Sequence, residues 1–382
     1  MSLESLDKFR QVVENRHEYA KNWKAETGGK VLGCICASVP EEYIYAAGLL
    51  PVRVLPDPKT PETLTSGHIQ TNKCTMCRGS LEQALRGQYD YLDGLAYVQG
   101  CLAQSQAFSS WVLSVPLAWS YKMFQPFRQD TPDARKVYSE LFEDFRLSLE
   151  KWLGAPVSKE SLAKSLAIYR ENRQLLRQVY ELRKKHPPLI SGSDAQRMIL
   201  ASMLMDKKEH NDLLSQLLQD MQDLQQSGNN GRPRIMIIGS GLPPVDATEL
   251  VESVGADVVV EDHCLGVRYF WGEDSKDPPM DEDPIEAIIT YYHDKKPQCV
   301  YQDWSGENAR KRISQLAKEY DVEAVIWLEQ IFCGTHQWEI PEEIDLFEKA
   351  GIPILRMQRG RIIPKGRFIP QVKAFLEKVK GK

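Results

Sequence analysis

Cys77 opens the stretch CRGSLEQALRGQYDYLDGLAYVQGC, which ends on Cys101. Its pattern predicts a helix over 78–87, a turn over 88–94, a buried strand over 95–98 and a cysteine where the strand runs out. A third cysteine, Cys333, directly follows the apolar run AVIWLEQIF at 324–332. In open α/β sheets, ligands bind outside the carboxyl ends of the strands. Read this way, Cys77, Cys101 and Cys333 come together at one soft-metal site. Cys74-Thr75-Met76-Cys77 is also a C-x-x-C, which taken alone is half of a zinc site or a redox pair. Zinc calls for a second C-x-x-C or paired histidines at short range, and the chain has neither. A thioredoxin-like pair does not involve distant cysteines at other strand ends. Three dispersed cysteines on the edges of parallel strands fit an iron–sulfur cube with one open iron. Structural zinc and plain buried thiols are the competing readings.

Elements must exist to carry these thiols. The chain has 382 residues, enough for two or three domains. A net charge of −5 gives no reason to expect nucleic acid or an acidic membrane surface. No apolar run is long enough to cross a membrane. The first thirty residues are charged and amphipathic, without the apolar centre of a signal peptide, and predict a cytoplasmic protein. In that compartment the eight cysteines are not expected to form disulfides. Cys34 and Cys36 alternate along KVLGCICA and read as small hydrophobes of a strand.

The pattern predicts an amphipathic helix over 1–29, a strand over 30–37, a helix opening at Ser38 and a strand over 51–55. A helix over 104–114 and a strand over 117–124 complete a first parallel α/β unit. From residue 131 the period changes to three and four, predicting long helices over 133–154, 159–185 and 191–226. SGNNGRPR at 227–234 reads as a linker. A second α/β unit follows, with strands over 234–238, 256–260, 324–332 and 352–357. Its helices are predicted over 245–254, 284–296, 307–320, 341–350 and 370–380. The expected fold class is α/β: two Rossmann-like or flavodoxin-like parallel-sheet domains, 1–130 and 231–382, with an intervening helical domain, 131–230.

Other chemistries find little support. GSGLPP at 239–244 lies between a strand and a helix, but Pro244 stands where a phosphate loop needs its third glycine. No G-x-x-x-x-G-K-[ST] is present, so no nucleotide is expected on this chain. No G-x-S-x-G is present for a serine hydrolase. His336, three residues beyond Cys333, is a candidate for proton transfer, set against an exposed loop histidine. Glu42, in V-P-E-E-Y, is a candidate substrate contact, set against an acid placed for the helix dipole.

Several motifs in order resemble one family. They are WKAETGGKVLGCICASVPEEYIYAAGLLPVRV at 23–54, the 77–101 stretch, and YRENRQLLRQVYELRKKHPPLISGSD at 169–194 with KKEH at 207–210. GADVVVEDHCLGVRYFW at 255–271 and FCGTHQWEIPEEIDLFEKAGIPIL at 332–355 complete them. The chain resembles catalytic subunits of the benzoyl-CoA reductase and 2-hydroxyacyl-CoA dehydratase family. The resemblance implies a [4Fe–4S] cluster on Cys77, Cys101 and Cys333. It implies a homologous second catalytic subunit and a separate ATP-hydrolysing iron–sulfur activator that injects a low-potential electron. It implies an acyl-CoA substrate reduced to a ketyl radical, which loses a hydroxyl or accepts a further electron. The length resembles the smaller benzoyl-CoA reductase subunit, so an aromatic acyl-CoA such as benzoyl-CoA is the leading substrate and a 2-hydroxyacyl-CoA the alternative. A related branch carries a double-cubane [8Fe–9S] cluster and reduces small molecules without CoA as a homodimer. Cys264 and Cys299 resemble two of its second ligand set, with Cys74 as the substitute third. A metal-bound structural partner of a catalytic subunit is the non-enzyme alternative.

Overall fold

Two parallel sheets with the same strand order carry the chain, seen in a computed structural model that describes residues 4–222, 230–240, 245–272, 282–303 and 305–381. The first unit contains α1 (Glu4–Glu14), α2 (Arg16–Thr27), β1 (Lys30–Cys34), α3 (Glu41–Ala46) and β2 (Leu49–Arg53). It continues through α4 (Thr75–Leu85), β3 (Gly94–Val98), α5 (Leu102–Ser114) and β4 (Trp119–Met123). Four helices follow: α6 (Pro132–Leu153), α7 (Lys159–Leu182), α8 (Gly192–Ser202) and α9 (Lys207–Asp220). The second unit opens with β5 (Arg234–Gly239), α10 (Val245–Ser253), β6 (Asp257–Asp262) and α11 (Val267–Phe270). Next come α12 (Pro284–Thr290), running into a π-helical turn (Tyr291–Lys295), α13 (Glu307–Glu319) and β7 (Ala324–Gln330). It closes with α14 (Gly334–Gln337), α15 (Ile340–Lys349), β8 (Ile354–Arg359) and α16 (Lys365–Lys380).

The sheets are ordered β2-β1-β3-β4 and β6-β5-β7-β8, parallel throughout. Each is second-first-third-fourth in its own strands, the order of a flavodoxin-like sheet. The α/β expectation of two such sheets is met. Each sheet's switch point lies between its first and third strands, so β3 and β7 are equivalent. Cys101 and Cys333 follow those two strands. Six of the strands are buried along nearly their whole length, as parallel strands covered on both faces must be. Gly239 ends β5 at φ +129°, and a Cβ there would come 2.4 Å from the Leu328 carbonyl oxygen on β7. Only glycine lets the two strands stay this close at the switch point.

The four helices between the units are bolted to both. One apolar core runs from Phe9 through Leu176, Val179 and Met198 to Val259 and Trp327. On the first unit's side, Arg173 of α7 pairs with Glu42 of α3 at 2.9 Å, and both are buried. On the second unit's side, Arg183 pairs with Glu261 of β6 at 2.8 Å with neither side chain exposed, and Tyr180 donates to the same carboxylate.

Several elements depart from the sequence pattern for local reasons. The first predicted helix is two, α1 and α2, broken at Asn15. The pattern over 191–226 is two helices, because Asp206 accepts hydrogen bonds from the Lys208 and Glu209 N–H groups and caps a new start. The strands predicted over 30–37 and 324–332 end at Cys34 and Gln330, which leaves Cys36 and Cys333 in turns. The predicted helix over 284–296 changes to a π-turn at Tyr291. The closing helix begins at Lys365, with Pro370 inside it. Residues 227–229 of the expected linker and 241–244 of GSGLPP lie outside the described residues.

The buried Arg183–Glu261 pair gives a stability test. Arg183→Leu strands the Glu261 carboxylate and is expected to cost about 3–5 kcal/mol in urea unfolding. Adding Glu261→Leu is expected to recover a large part of that loss. Two single losses that simply add would contradict a direct pair.

Candidate functional site

Two of the cysteines stand at the starts of full-length helices. Cys74 is the N-cap of α4, so this helix begins three residues before the sequence pattern places it, and Cys77 sits inside its first turn. Cys101 is the N-cap of α5, and its Sγ accepts from the Gln104 N–H at 3.4 Å. Exposed N–H groups at a helix start favour a thiolate. Cys333 follows β7 through Phe332, a non-glycine residue at φ +66°. Such a conformation stores strain, and here it turns the chain so that Cys333 N–H donates to Gln330 O. The Gln330 amide in turn donates to Thr75 Oγ1 at 2.8 Å. This single bond ties the end of β7 in one unit to the start of α4 in the other.

The result is one group of thiols built from both sheets. Cys74 and Cys77 lie 3.3 Å apart. The Cys77 and Cys101 thiols interact in turn, and Cys333 is within electrostatic reach of Cys74 and Cys101. The hydrogen bond from Cys77, with the N–H groups of Gln104 and Ala103 behind it, lowers Cys101 to about 6. Its bond to Cys77 also lowers Cys74. Cys77 is raised, chiefly by its bonds to these two partners, and burial raises Cys333. Among the described residues, no three His, Cys, Asp or Glu side chains close on one point as the ligands of a single ion do.

A second thiol group adjoins the first through His336. This side chain is buried, not the exposed loop histidine of the alternative reading. Its Nδ1 bonds Glu339 Oε2 at 2.7 Å, and the ring also engages Cys264. Burial opposes a charge on His336, but Cys264 and Glu339 outweigh it and the imidazole is held protonated. Burial likewise opposes ionisation of Cys264, but His336, Arg268 and Arg53 carry it below the usual thiol range. Cys299 lies within reach of Cys264 and of Cys36, and burial pushes it up. The third thiol of this group is therefore Cys36, while Cys74 belongs with Cys77. The alternation of KVLGCICA hid Cys36, which lies in the turn beyond β1. Its place past a strand's carboxyl end was the signal available.

Glu42 has no open face. Arg173 takes one carboxylate oxygen, the Tyr292 hydroxyl donates to the other at 2.9 Å, and the side chain is fully buried in the first turn of α3. Sequence reasoning also missed two buried cations. Lys296, after the π-turn, donates to the Tyr269 carbonyl at 2.8 Å, and burial lowers it to about 8. Arg53 ends β2 at the carboxyl edge of the first sheet.

Fold and site together define a class: a double flavodoxin-like α/β protein with thiols from both sheets gathered at the sheets' carboxyl edges. The chain belongs to the family described as 2-hydroxyglutaryl-CoA dehydratase, D-component, which it matches over residues 36–379. It is 25% identical to the (R)-phenyllactyl-CoA dehydratase beta subunit of Clostridium sporogenes, over 90% of each chain. It is 24% identical to a subunit of the benzoyl-CoA reductase of Thauera aromatica, over 88% of this chain and 87% of that one. It is 22% identical to the beta subunit of the (R)-2-hydroxyglutaryl-CoA dehydratase of Acidaminococcus fermentans, over 92% of each. The family is one of enzyme components. Among the described residues, no helix is long and apolar enough to cross a membrane.

The thiol group has a pH signature. In metal-free protein, Cys101 is expected to alkylate increasingly as pH rises through about 6, while burial keeps Cys34 unreactive. Iodoacetamide pulses over a pH series with peptide mass mapping read both. A Cys101 midpoint near that of a free thiol, about 8.5, would contradict the hydrogen-bonded thiolate.

Proposed function

We propose that this chain is an iron–sulfur subunit of an enzyme that reduces an acyl-CoA thioester with one low-potential electron. The observation that carries the reading is the group Cys74, Cys77, Cys101 and Cys333, drawn from both sheets, with Cys101 and Cys74 tuned toward thiolate. Soft thiolates without a carboxylate among them are the donor set of an iron–sulfur cluster. Cys77, Cys101 and Cys333 are the ligands in this reading. Cys74, only 3.3 Å from Cys77, leaves room for one of that pair. A cluster held there supplies a one-electron carrier of low potential.

The chain's own residues do the rest. Val54, Met76, Leu81 and Trp111 pack about Cys77 and keep water from its sulfur. His336 holds a proton next to Cys264, fixed in orientation by Glu339. The cleft between the two sheets is the place for the thioester. In this reading the chain works in the cytoplasm, divided at about residues 130 and 230, with a homologous second subunit and an ATP-hydrolysing activator. The relatives' names, dehydratase beta subunits and a reductase subunit, support a partnered acyl-CoA enzyme. They support an aromatic acyl-CoA reductase and a 2-hydroxyacyl-CoA dehydratase equally. A double-cubane reductase is the second reading, favoured by one observation: Cys36, Cys264 and Cys299 form a neighbouring thiol group.

Iron and acid-labile sulfide per chain after anaerobic purification test the reading. About four of each supports one cube, and about eight supports the double cubane. Cys101→Ala is expected to lose most of the iron, and Cys36→Ala to keep it under the single-cube reading. Equal iron in wild type and Cys101→Ala would remove Cys101 as a ligand. With activator and ATP, turnover of benzoyl-CoA against a 2-hydroxyacyl-CoA separates reductase from dehydratase.

A further inference from the structure

A cavity of about 1110 Å³ lies between α7 and α13, and no cysteine lines it. Small-molecule sites enclose roughly 300–1,000 Å³, so this one has room for a coenzyme. Its lining has a definite charge pattern. Glu181 of α7 and Glu319 at the end of α13 are both held by Lys184, at 2.7 and 3.3 Å. Asp294 is held by Arg135. The lining acids are thus neutralised by cations that do not themselves line the cavity.

The lining lysines are not spent in the same way. Lys295 and Lys311 are exposed, and among the described residues neither forms an ion pair. Lys296 is only 8% exposed. Its Nζ donates to the Tyr269 carbonyl at 2.8 Å and lies over the rings of Tyr269, Tyr291 and Tyr292. Glu41 and Glu42 act on it only from a distance. An ammonium carries three donors, so two remain for a ligand. Local structure explains why consecutive residues reach one cavity. The π-helical turn at Tyr291–Lys295 is wider than an α-turn, and Asp294, Lys295 and Lys296 all line the space beside it. Such turns recur at functional sites. Trp271 adds a half-buried indole to the same lining. The lining also reaches the segments that carry the second thiol group. Gln298 precedes Cys299, and Arg312 bonds Asp262, two residues before Cys264.

An aromatic face among several ammonium groups suits a phosphorylated nucleotide, whose base stacks while its phosphates pair. We propose that this cavity takes the nucleotide end of coenzyme A, with the adenine on Trp271 and the phosphates on Lys295, Lys296 and Lys311. The inference rests on the acyl-CoA reading above and gives that substrate a place on this chain. Side-chain cations do here what a phosphate loop does with backbone N–H groups, so the failed GSGLPP pattern is no obstacle. The contacts are non-covalent, and these residues bind without being catalytic.

Calorimetric titration of the full-length chain with CoA, 3′-dephospho-CoA, ADP and pantetheine tests the site. CoA is expected to bind, dephospho-CoA more weakly by about tenfold or more, and pantetheine not measurably. Lys295→Gln with Lys311→Gln should raise the Kd for CoA by about tenfold or more at an unchanged melting temperature. Lys373→Gln with Lys378→Gln on α16, the same change in charge, should leave the Kd as it is. A photoreactive 8-azidoadenine CoA should label the peptide that contains Trp271. An unchanged Kd in the Lys295 and Lys311 variant, or label confined to other peptides, overturns the subsite and leaves the acyl-CoA reading standing. ADP binding as tightly as CoA overturns the coenzyme as the occupant. A wild-type chain that loads iron but binds no CoA also overturns the subsite, and the coenzyme then belongs to the partner subunit. Wild type with activator and ATP that turns over no acyl-CoA fails the functional reading, whereas CoA binding that depends on Lys295 and Lys311 would still support the cavity.

Discussion

A buried thiol moves toward thiolate only where hydrogen-bond donors or positive charge face it, as at Cys74, Cys101 and Cys264, and that requirement shapes this molecule. Parallel strands with helical crossovers meet it by construction. Each strand points its carboxyl end toward the N-terminus of the next helix, where N–H groups lack partners. Cys101 sits at such a junction as the cap of α5. Cys74 caps α4, and Cys77 lies within its first turn. Repeating the strand order places Cys333 in the second sheet at the position Cys101 has in the first. The charged side chains His336, Arg268 and Arg53 add to this on the side of Cys264.

A thiol group drawn from two sheet edges also needs the sheets held in one relation. The four helices between the units do this with buried ion pairs at each end. Arg173 on Glu42 secures the first unit, and Arg183 on Glu261 the second. Between them, Lys207 donates to the Tyr269 hydroxyl, which donates to Glu41, so α9, α11 and α3 are joined by one chain of bonds. Such pairs cost desolvation and give little net stability, but they tolerate few alternative arrangements. The Gln330–Thr75 bond is the finer adjustment, made directly between the two edges that carry thiols.

Much of this was legible in the sequence. Buried parallel strands read as short continuous apolar runs, so both sheets and nearly every strand stand out from AVIWLEQIF or RIMII alone. The places of Cys101 and Cys333 were legible for the same reason, since a residue just past such a run lies at the sheet edge; Cys77 instead lies inside the first turn of α4. Contacts that depend on distant chain segments were not legible. Nothing in V-P-E-E-Y tells that Glu42 will meet Arg173 and Tyr292 and become inaccessible. Nothing near Cys333 tells that His336 will turn inward to Cys264. Cys36 was expected inside the strand because two cysteines in alternation look like one strand face, whereas β1 stops at Cys34.

The central claim is that Cys77, Cys101 and Cys333 hold one iron–sulfur body between the two sheet edges. Anomalous diffraction at the iron edge, from crystals grown and frozen without oxygen, tests it most directly. The account predicts one strong iron peak within bonding reach of the sulfurs of Cys77, Cys101 and Cys333, reached from both units. Iron bound only by Cys36, Cys264 and Cys299, or no iron at the cleft of a fully loaded protein, would contradict it.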